Sequence, residues 1–196
     1  MGGILTYNVE NILPIVSVLY NEPKFKAKFV QLLDYLKNFE TDLGKNPGRF
    51  NVFHYRTSYV VFDYAHNVDG YKKSLESIKN LAKRLKTDRT VALVGIAENR
   101  AVKDVEGVAK LIKKYADDYR VRYVEKNENL NLLCKLLGGG PAMIWKEGYM
   151  KFIKQFCSDK TLIYVTMAGR GHIADLENAA KELKLQRVDF DELRKP

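Results

Sequence analysis

Residues 58–96, SYVVFDYAHNVDGYKKSLESIKNLAKRLKTDRTVALVGI, decide the fold class. Residues 58–63 are rich in aromatic and β-branched side chains, which is typical of a strand. Residues 69–86 repeat apolar side chains at helical spacing. Residues 90–96 form an apolar run of the length of a buried strand. This order predicts two parallel strands joined by a helix.

The same alternation extends on both sides of this segment. Further strands are predicted at 50–55, 120–124, 142–145 and 161–166, and further helices at 101–117, 129–137, 147–157 and 174–184. We therefore predict an α/β fold with a mostly parallel sheet and helices on both faces. Residues 9–20 predict a short buried helix, with Asn11 as a candidate cap and Pro14 in its first turn. Residues 24–39 predict an amphipathic helix, and residues 41–49 (TDLGKNPGR) a linker.

Composition excludes several classes of protein. The 196 residues are 46% hydrophobic, which excludes a wholly disordered chain, and no apolar run is long enough to span a membrane. Two cysteines and three histidines argue against a structural zinc site, and we expect no metal site. The cysteines leave a single disulfide open, although a reducing cytoplasm is the expected location.

The net charge of +9 is concentrated in the middle of the chain. Residues 49–127 hold 17 basic and 10 acidic side chains. The basic run at 72–89 indicates either a solvated helix surface or an interface for an anion such as nucleic acid. Interleaved aromatic residues would favour nucleic acid, and Tyr71 is the candidate nearby.

Three polar segments follow predicted parallel strands, at 63–67, 97–100 and 167–172. In open α/β sheets, ligands bind beyond the carboxyl ends of the strands. Asp63 there can accept hydrogen bonds from ribose hydroxyls, and His66 can donate one to a phosphate oxygen. The alternative is that Asp63 and Asn67 cap the helix that follows.

The third segment places Arg170 between Gly169 and Gly171. Glycines allow the backbone to approach a ligand, and an arginine can pair with a carboxylate or phosphate. The alternative is a tight turn with a solvated arginine. No Gly-Lys-Ser or Gly-Lys-Thr sequence occurs, so the chain lacks a P-loop for nucleotide phosphates.

Three motifs together resemble the C-terminal domain of the Mur ligase superfamily, whose members join an amino acid to a carboxylate using ATP. They are NPGRFN at 46–51, VVFDYAHN at 60–67 and AGRGH at 168–172. The sequence around the first motif is most similar to the Mur-like part of cyanophycin synthetases. The resemblance implies a Rossmann-like domain at 46–196, preceded at 1–45 by the helical tail of a central ATPase domain and a linker.

The resemblance also implies roles for particular residues. Arg49 and Asp63 would bind the nucleotide, with Asp63 toward the ribose. His66 and Asn67 would lie at its phosphate end as catalytic residues. Arg170, His172 and Arg100 would bind substrate. The partners implied are ATP, an amino acid, a carboxylate acceptor and the central domain, which would hold most of the ATP and Mg²⁺. Neither nucleic acid nor a membrane is expected as a partner.

The chain departs from the motifs of the family, or of one of its branches, at four places. Val68 stands where proline is usual, and Arg170 where lysine is usual. Gly95 and Arg100 are what remains of a Gly-Asp-Arg-like motif. The segment at 124–127 lacks the Asp-Asn-Pro-Arg motif, which argues against diaminopimelate as substrate. Because the chain lacks a P-loop, we expect a fragment of a longer ligase that is inactive alone. The alternatives are a stand-alone basic binding module and a degenerate, non-catalytic relative.

Overall fold

The computed structural model describes residues 6–26, 28–37, 43–44, 46–139, 143–166 and 173–188. The helices are α1 (Thr6–Asn21), α2 (Pro23–Lys26), α3 (Phe29–Lys37), α4 (Val68–Leu85), α5 (Val102–Tyr115), α6 (Glu128–Leu136), α7 (Tyr149–Phe156) and α8 (Ile173–Glu182). The strands are β1 (Asn51–Tyr55), β2 (Ser58–Asp63), β3 (Arg89–Val94), β4 (Asp118–Arg122), β5 (Ile144–Trp145), β6 (Thr161–Thr166) and β7 (Gln186–Arg187).

The strands form one sheet in the order β5-β4-β3-β6-β2-β1-β7. Strands β2 to β6 pair in parallel, as predicted, whereas β1 pairs antiparallel with β2 and with β7. The chain returns from β5 to place β6 between β3 and β2, where Asp63 is in register with Thr166. The sequence did not predict β7, because its two residues are exposed and carry no apolar pattern.

Helices cover both faces of the sheet, which confirms the predicted α/β architecture. On one face, α4, α5 and α6 pack against alternate residues of the central strands. On the other face, α7 and α8 pack against the remaining residues. All six residues of β6 are buried, because this strand has neighbours on both edges and helices on both faces.

The amino-terminal helices differ from their prediction. Helix α1 contains Pro14 in its interior and continues past Asn11, so Asn11 is not a cap. Leu13, Ile15 and Val18 are each more than half exposed, whereas the sequence predicted a buried helix. The predicted helix at 24–39 is described as two shorter helices, α2 and α3. Burial was expected because an apolar helix face normally packs against another segment. The pattern alone does not identify that segment, so it could not show that this face of α1 is exposed.

Two smaller points complete the fold. Cys134 and Cys157 are both free thiols, so they form no bridge with each other. Within the described residues, no helix is long and apolar enough to cross a membrane.

Candidate functional site

The carboxyl ends of β2, β6 and β3 lie side by side at one edge of the sheet. Helix α8 follows β6 on one face, while α4 and α5 follow β2 and β3 on the other. Such a divergence of connections opens a crevice at the strand ends. Residues 63–67 include the end of β2 and the loop that follows it, residues 95–100 follow β3, and β6 lies between these two strands. Arg170 and His172 lie outside the described residues, so their roles stay predictions.

The loop before β1 is held by the side chain of Asn51, which is completely buried. The Asn51 side-chain oxygen accepts a hydrogen bond from the Gly48 N–H at 2.7 Å, and its amide donates to the Asn46 carbonyl at 3.1 Å. Phe50 is buried with φ at +54°, a left-handed conformation that costs a bulky residue about 1–3 kcal/mol. This braced, strained loop carries the exposed Arg49.

Arg49 and His66 meet at the same aromatic ring. The guanidinium carbon of Arg49 lies 5.1 Å from the centroid of the Tyr64 ring, and the His66 ring lies 5.0 Å from it on centroids. The His66 Nδ1 atom lies 2.9 Å from the Tyr64 carbonyl oxygen. A carbonyl only accepts hydrogen bonds, so Nδ1 carries the proton, and in the neutral ring Nε2 is an acceptor. Two of the predicted site residues are therefore neighbours.

The carboxylate of Asp63 is buried and accepts several hydrogen bonds. Its Oδ2 atom accepts hydrogen bonds from the Ser74 hydroxyl and, at 3.2 Å, from the Ala65 N–H. Burial raises the pKa of Asp63 above its ordinary value, although hydrogen bonds from Ser74 and from backbone N–H groups, including that of Phe50, oppose the rise. Only 6% of Asp63 is exposed, so its contact with a ribose stays a prediction.

Asn67 fits the capping alternative. Its side-chain oxygen accepts the Gly70 N–H at 2.7 Å and caps α4. The capping bond uses one lone pair of the Asn67 oxygen, and a catalytic role for this residue stays a prediction. Asp63, by contrast, bonds to Ser74 in the second turn of α4, so it contributes more than a cap.

The hydroxyl group of Tyr71 links the carboxyl ends of β3 and β6, a role that sequence reasoning missed. Its hydroxyl donates to the Gly95 carbonyl at 2.5 Å and lies 2.9 Å from the Thr166 hydroxyl. The Gly95 N–H also donates to both hydroxyls, at 3.2 Å and 3.0 Å. The sequence suggested Tyr71 as an exposed aromatic residue, but it is completely buried. Its position one helical turn before Leu75, on the inward face, was the available signal.

The loop after β3 is held by two asparagines at the start of α6. Asn127 donates to the Ile96 carbonyl at 3.0 Å and caps α6 through its side-chain oxygen. The Asn129 amide lies 3.1 Å, 2.7 Å and 3.0 Å from the carbonyls of Ala97, Glu98 and Arg100. The Nε atom of Arg100 is buried and has no hydrogen-bond partner within the described part of the chain. The sequence identified Arg100 but not the asparagines that hold its loop.

The basic run at 72–89 is mostly solvated helix surface. Most of its lysines and arginines are exposed, and Lys73 pairs with Asp69 one turn away. No group of three histidine, cysteine, aspartate or glutamate side chains comes together as metal ligands within the residues that the structure describes.

Comparison with known proteins identifies a family for this chain and solved structures with a similar fold. The family model described as "Mur ligase, glutamate ligase domain" matches residues 48–186. UDP-N-acetylmuramate-alanine ligase MurC from Thermotoga maritima superposes with a TM-score of 0.59 at 19% identity, covering 91% of this chain and 38% of that one.

Two folate enzymes are also similar. For E. coli FolC in complex with ADP, the TM-score is 0.52 at 17% identity, over 83% of this chain and 40% of that chain. The second is the bifunctional folylpolyglutamate synthase/dihydrofolate synthase of Yersinia pestis, complexed with AMPPNP and Mn ion. Its TM-score is 0.51 at 17% identity, over 80% of this chain and 38% of that chain. These likenesses show the fold, and the chain spans less than half the length of each neighbour. A search of curated proteins finds no match.

Proposed function

The chain belongs to the Mur ligase, glutamate ligase domain family, and we propose that it serves as the C-terminal domain of an ATP-dependent amide ligase. The ligase would join an amino acid to a carboxylate through an acyl phosphate. Residues 46–196 would form the domain, and residues 1–45 the tail of a central P-loop domain with its linker. By this proposal the chain alone is inactive, because the residues that hold the phosphates of ATP lie in the central domain.

One observation supports this proposal above the others. Arg49 and His66 flank the Tyr64 ring beside a crevice at the carboxyl ends of the strands. The strained loop that carries Arg49 is braced by Asn51 and by the carboxylate of Asp63. Backbone strain of this kind is characteristic of functional sites. An arginine and a histidine held in this way suit an anionic ligand such as a nucleotide.

The residues present fit part of an ATP site. Arg49 would bind the nucleotide, and His66 would present Nε2 toward its phosphate end, donating a hydrogen bond when the ring is protonated. ATP supplies the phosphoryl group that activates the acceptor carboxylate. The described residues gather no cluster of metal ligands, so we assign Mg²⁺ to the central domain.

Arg100 and the glycine-rich segment at 168–172 would bind the acceptor and the amino acid. Closure of the domain over the central domain would bring the two halves together and exclude water from the acyl phosphate.

The exposed apolar face of α1 fits the proposed contact with the central domain. Leu13, Ile15 and Val18 are each more than half exposed. The similarity to cyanophycin synthetases and the cytoplasmic location stay predictions from the sequence.

The experiment needs the ligase in which this chain is joined to its P-loop domain. Asp63→Ala and His66→Ala should each lower turnover by orders of magnitude, measured as amino-acid-dependent release of phosphate. His54→Ala on β1 and Asp69→Asn on the surface of α4 are matched controls and should retain activity. Wild-type turnover in both site variants would contradict the site, and amino-acid-dependent ATP hydrolysis by the isolated chain would contradict the need for a second domain.

A further inference from the structure

The loop between β3 and α5 has its backbone carbonyl groups occupied by side chains from other elements. Tyr71 binds the Gly95 carbonyl, and Asn127 binds that of Ile96. Asn129 binds the carbonyls of Ala97, Glu98 and Arg100. Five carbonyl groups between residues 95 and 100 are thus held by only three donors, all outside the loop. The shape of the loop therefore depends on α4 and α6 rather than on its own side chains.

Occupied carbonyl groups matter because each carbonyl oxygen carries partial negative charge. Free carbonyl groups at this edge would repel an anion, while groups already bound to a donor repel it less. The adjacent Arg100 has a buried Nε–H without a partner in the described residues. A buried donor left unpaired costs about 1–3 kcal/mol, so an acceptor that completes it is favoured. Oxygen atoms of a carboxylate or a phosphoryl group match an arginine best.

We propose that Asn127 and Asn129 are positioning residues that hold the β3–α5 loop so that the Arg100 Nε–H binds an oxyanion. This inference rests on the proposed function, in which Arg100 binds substrate, and adds the residues that orient it. Asn129 is the stronger of the two tests, because its single amide group contacts three carbonyl groups. Asparagine has two N–H bonds, so one of them is shared.

Asn129→Asp breaks this arrangement selectively. A carboxylate donates no hydrogen bond and repels the three carbonyl groups it faces. Aspartate in the first turn of a helix is otherwise favourable, so α6 should persist. Asn131→Asp adds the same charge to an exposed position of the same helix and is the matched control. Arg100→Lys keeps the charge but removes Nε–H, which identifies the Arg100 side-chain resonance by its disappearance.

The assay is a titration of the 196-residue chain, followed through the Arg100 Nε–H signal in ¹H–¹⁵N spectra. The probes are inorganic phosphate and, separately, succinate. We expect a saturable shift with one probe, phosphate indicating a phosphoryl ligand and succinate a carboxylate ligand. In Asn129→Asp the Kd should rise about tenfold or more, the size of one charge-assisted hydrogen bond. In Asn131→Asp it should be unchanged.

Two results would overturn the inference: no saturable shift with either probe, or the same Kd in Asn129→Asp as in the wild type. If Asn129→Asp fails to fold, as judged by its backbone amide spectrum, Asn129→Ser is the second variant, with the same expected weakening. The titration needs neither ATP nor a second domain. An absent shift therefore counts against the oxyanion site, while absent ligase activity in the joined protein counts against the proposed function.

Discussion

Replacing Tyr71 with phenylalanine removes the hydroxyl group that links the carboxyl ends of β3 and β6 and leaves the aromatic ring in place. The hydroxyl makes contacts with the Gly95 carbonyl, the Thr166 hydroxyl and the Gly95 N–H, and Tyr71 is completely buried. In the variant, the Gly95 N–H keeps its 3.0 Å bond to Thr166, but the Gly95 carbonyl loses its donor. An unsatisfied buried acceptor costs about 1–3 kcal/mol, so we expect a loss of about 2 kcal/mol in the free energy of unfolding.

Urea unfolding followed by the fluorescence of Trp145 measures this loss. Trp145 is the single tryptophan and lies in the core cluster on the opposite face of the sheet, so the substitution does not alter its surroundings directly. With a slope of about 2 kcal/mol per molar urea, the midpoint should fall by about 1 M. Tyr123→Phe is the control, because Tyr123 is 48% exposed.

The reasoning fails if Tyr71→Phe lowers the free energy of unfolding by less than about 0.5 kcal/mol at an unchanged slope, which is the range of ordinary surface substitutions. It also fails if Tyr123→Phe is equally destabilising.

Three further predictions concern stability and pH. Asn51→Ala should cost about 2–3 kcal/mol in urea unfolding, because it leaves the buried Gly48 N–H without its acceptor; a loss under about 0.5 kcal/mol would contradict this. A methyl group added at Gly107 would lie 3.0 Å from Val68 Cγ2, so Gly107→Ala should raise the melting temperature more in a Val68→Ala background than in the wild type; additive effects of the two changes would exclude the clash. Burial raises the folded-state pKa of Asp63 above 3.8, so the unfolded chain loses this proton first as pH rises. The stability of the wild type relative to Asp63→Asn should therefore fall as pH increases above about 4, and a constant or rising difference would be inconsistent with the raised pKa.

Local patterns were sufficient for most of the fold. The β-branched and aromatic residues of 58–63 and the apolar run at 90–96 predicted β2 and β3 closely, because buried strands require such residues along their whole length. The two residues of β7 carry no such pattern. For α1, periodicity predicted the helix correctly but not its exposure, since an apolar face indicates a contact without identifying the partner.

The candidate site was only partly predictable. The polar residues after β2 and β3 predicted a site at the strand ends. Asparagine is a preferred residue at a helix N-cap, so the capping role of Asn67 was also predictable. The residues that brace these ends were missed, because they lie far away in sequence. Tyr71 and Thr166 are separated by 95 positions, and Asn127 lies 31 positions after Ile96. Nothing in the spacing of a buried tyrosine or a capping asparagine specifies its acceptor.

By itself, the sequence determined the order of most helices and strands and the mostly parallel sheet, and it predicts the strand ends as the place for a ligand. These follow from hydrophobic periodicity and from the handedness of strand–helix–strand connections, which are local properties. Only the tertiary structure decided that β6 lies between β3 and β2, and hence that the chain leaves the sheet after β2 and after β3 on either side of β6. Strand order depends on which edges and faces remain to be buried once all helices have packed, and no segment of the sequence carries that information alone.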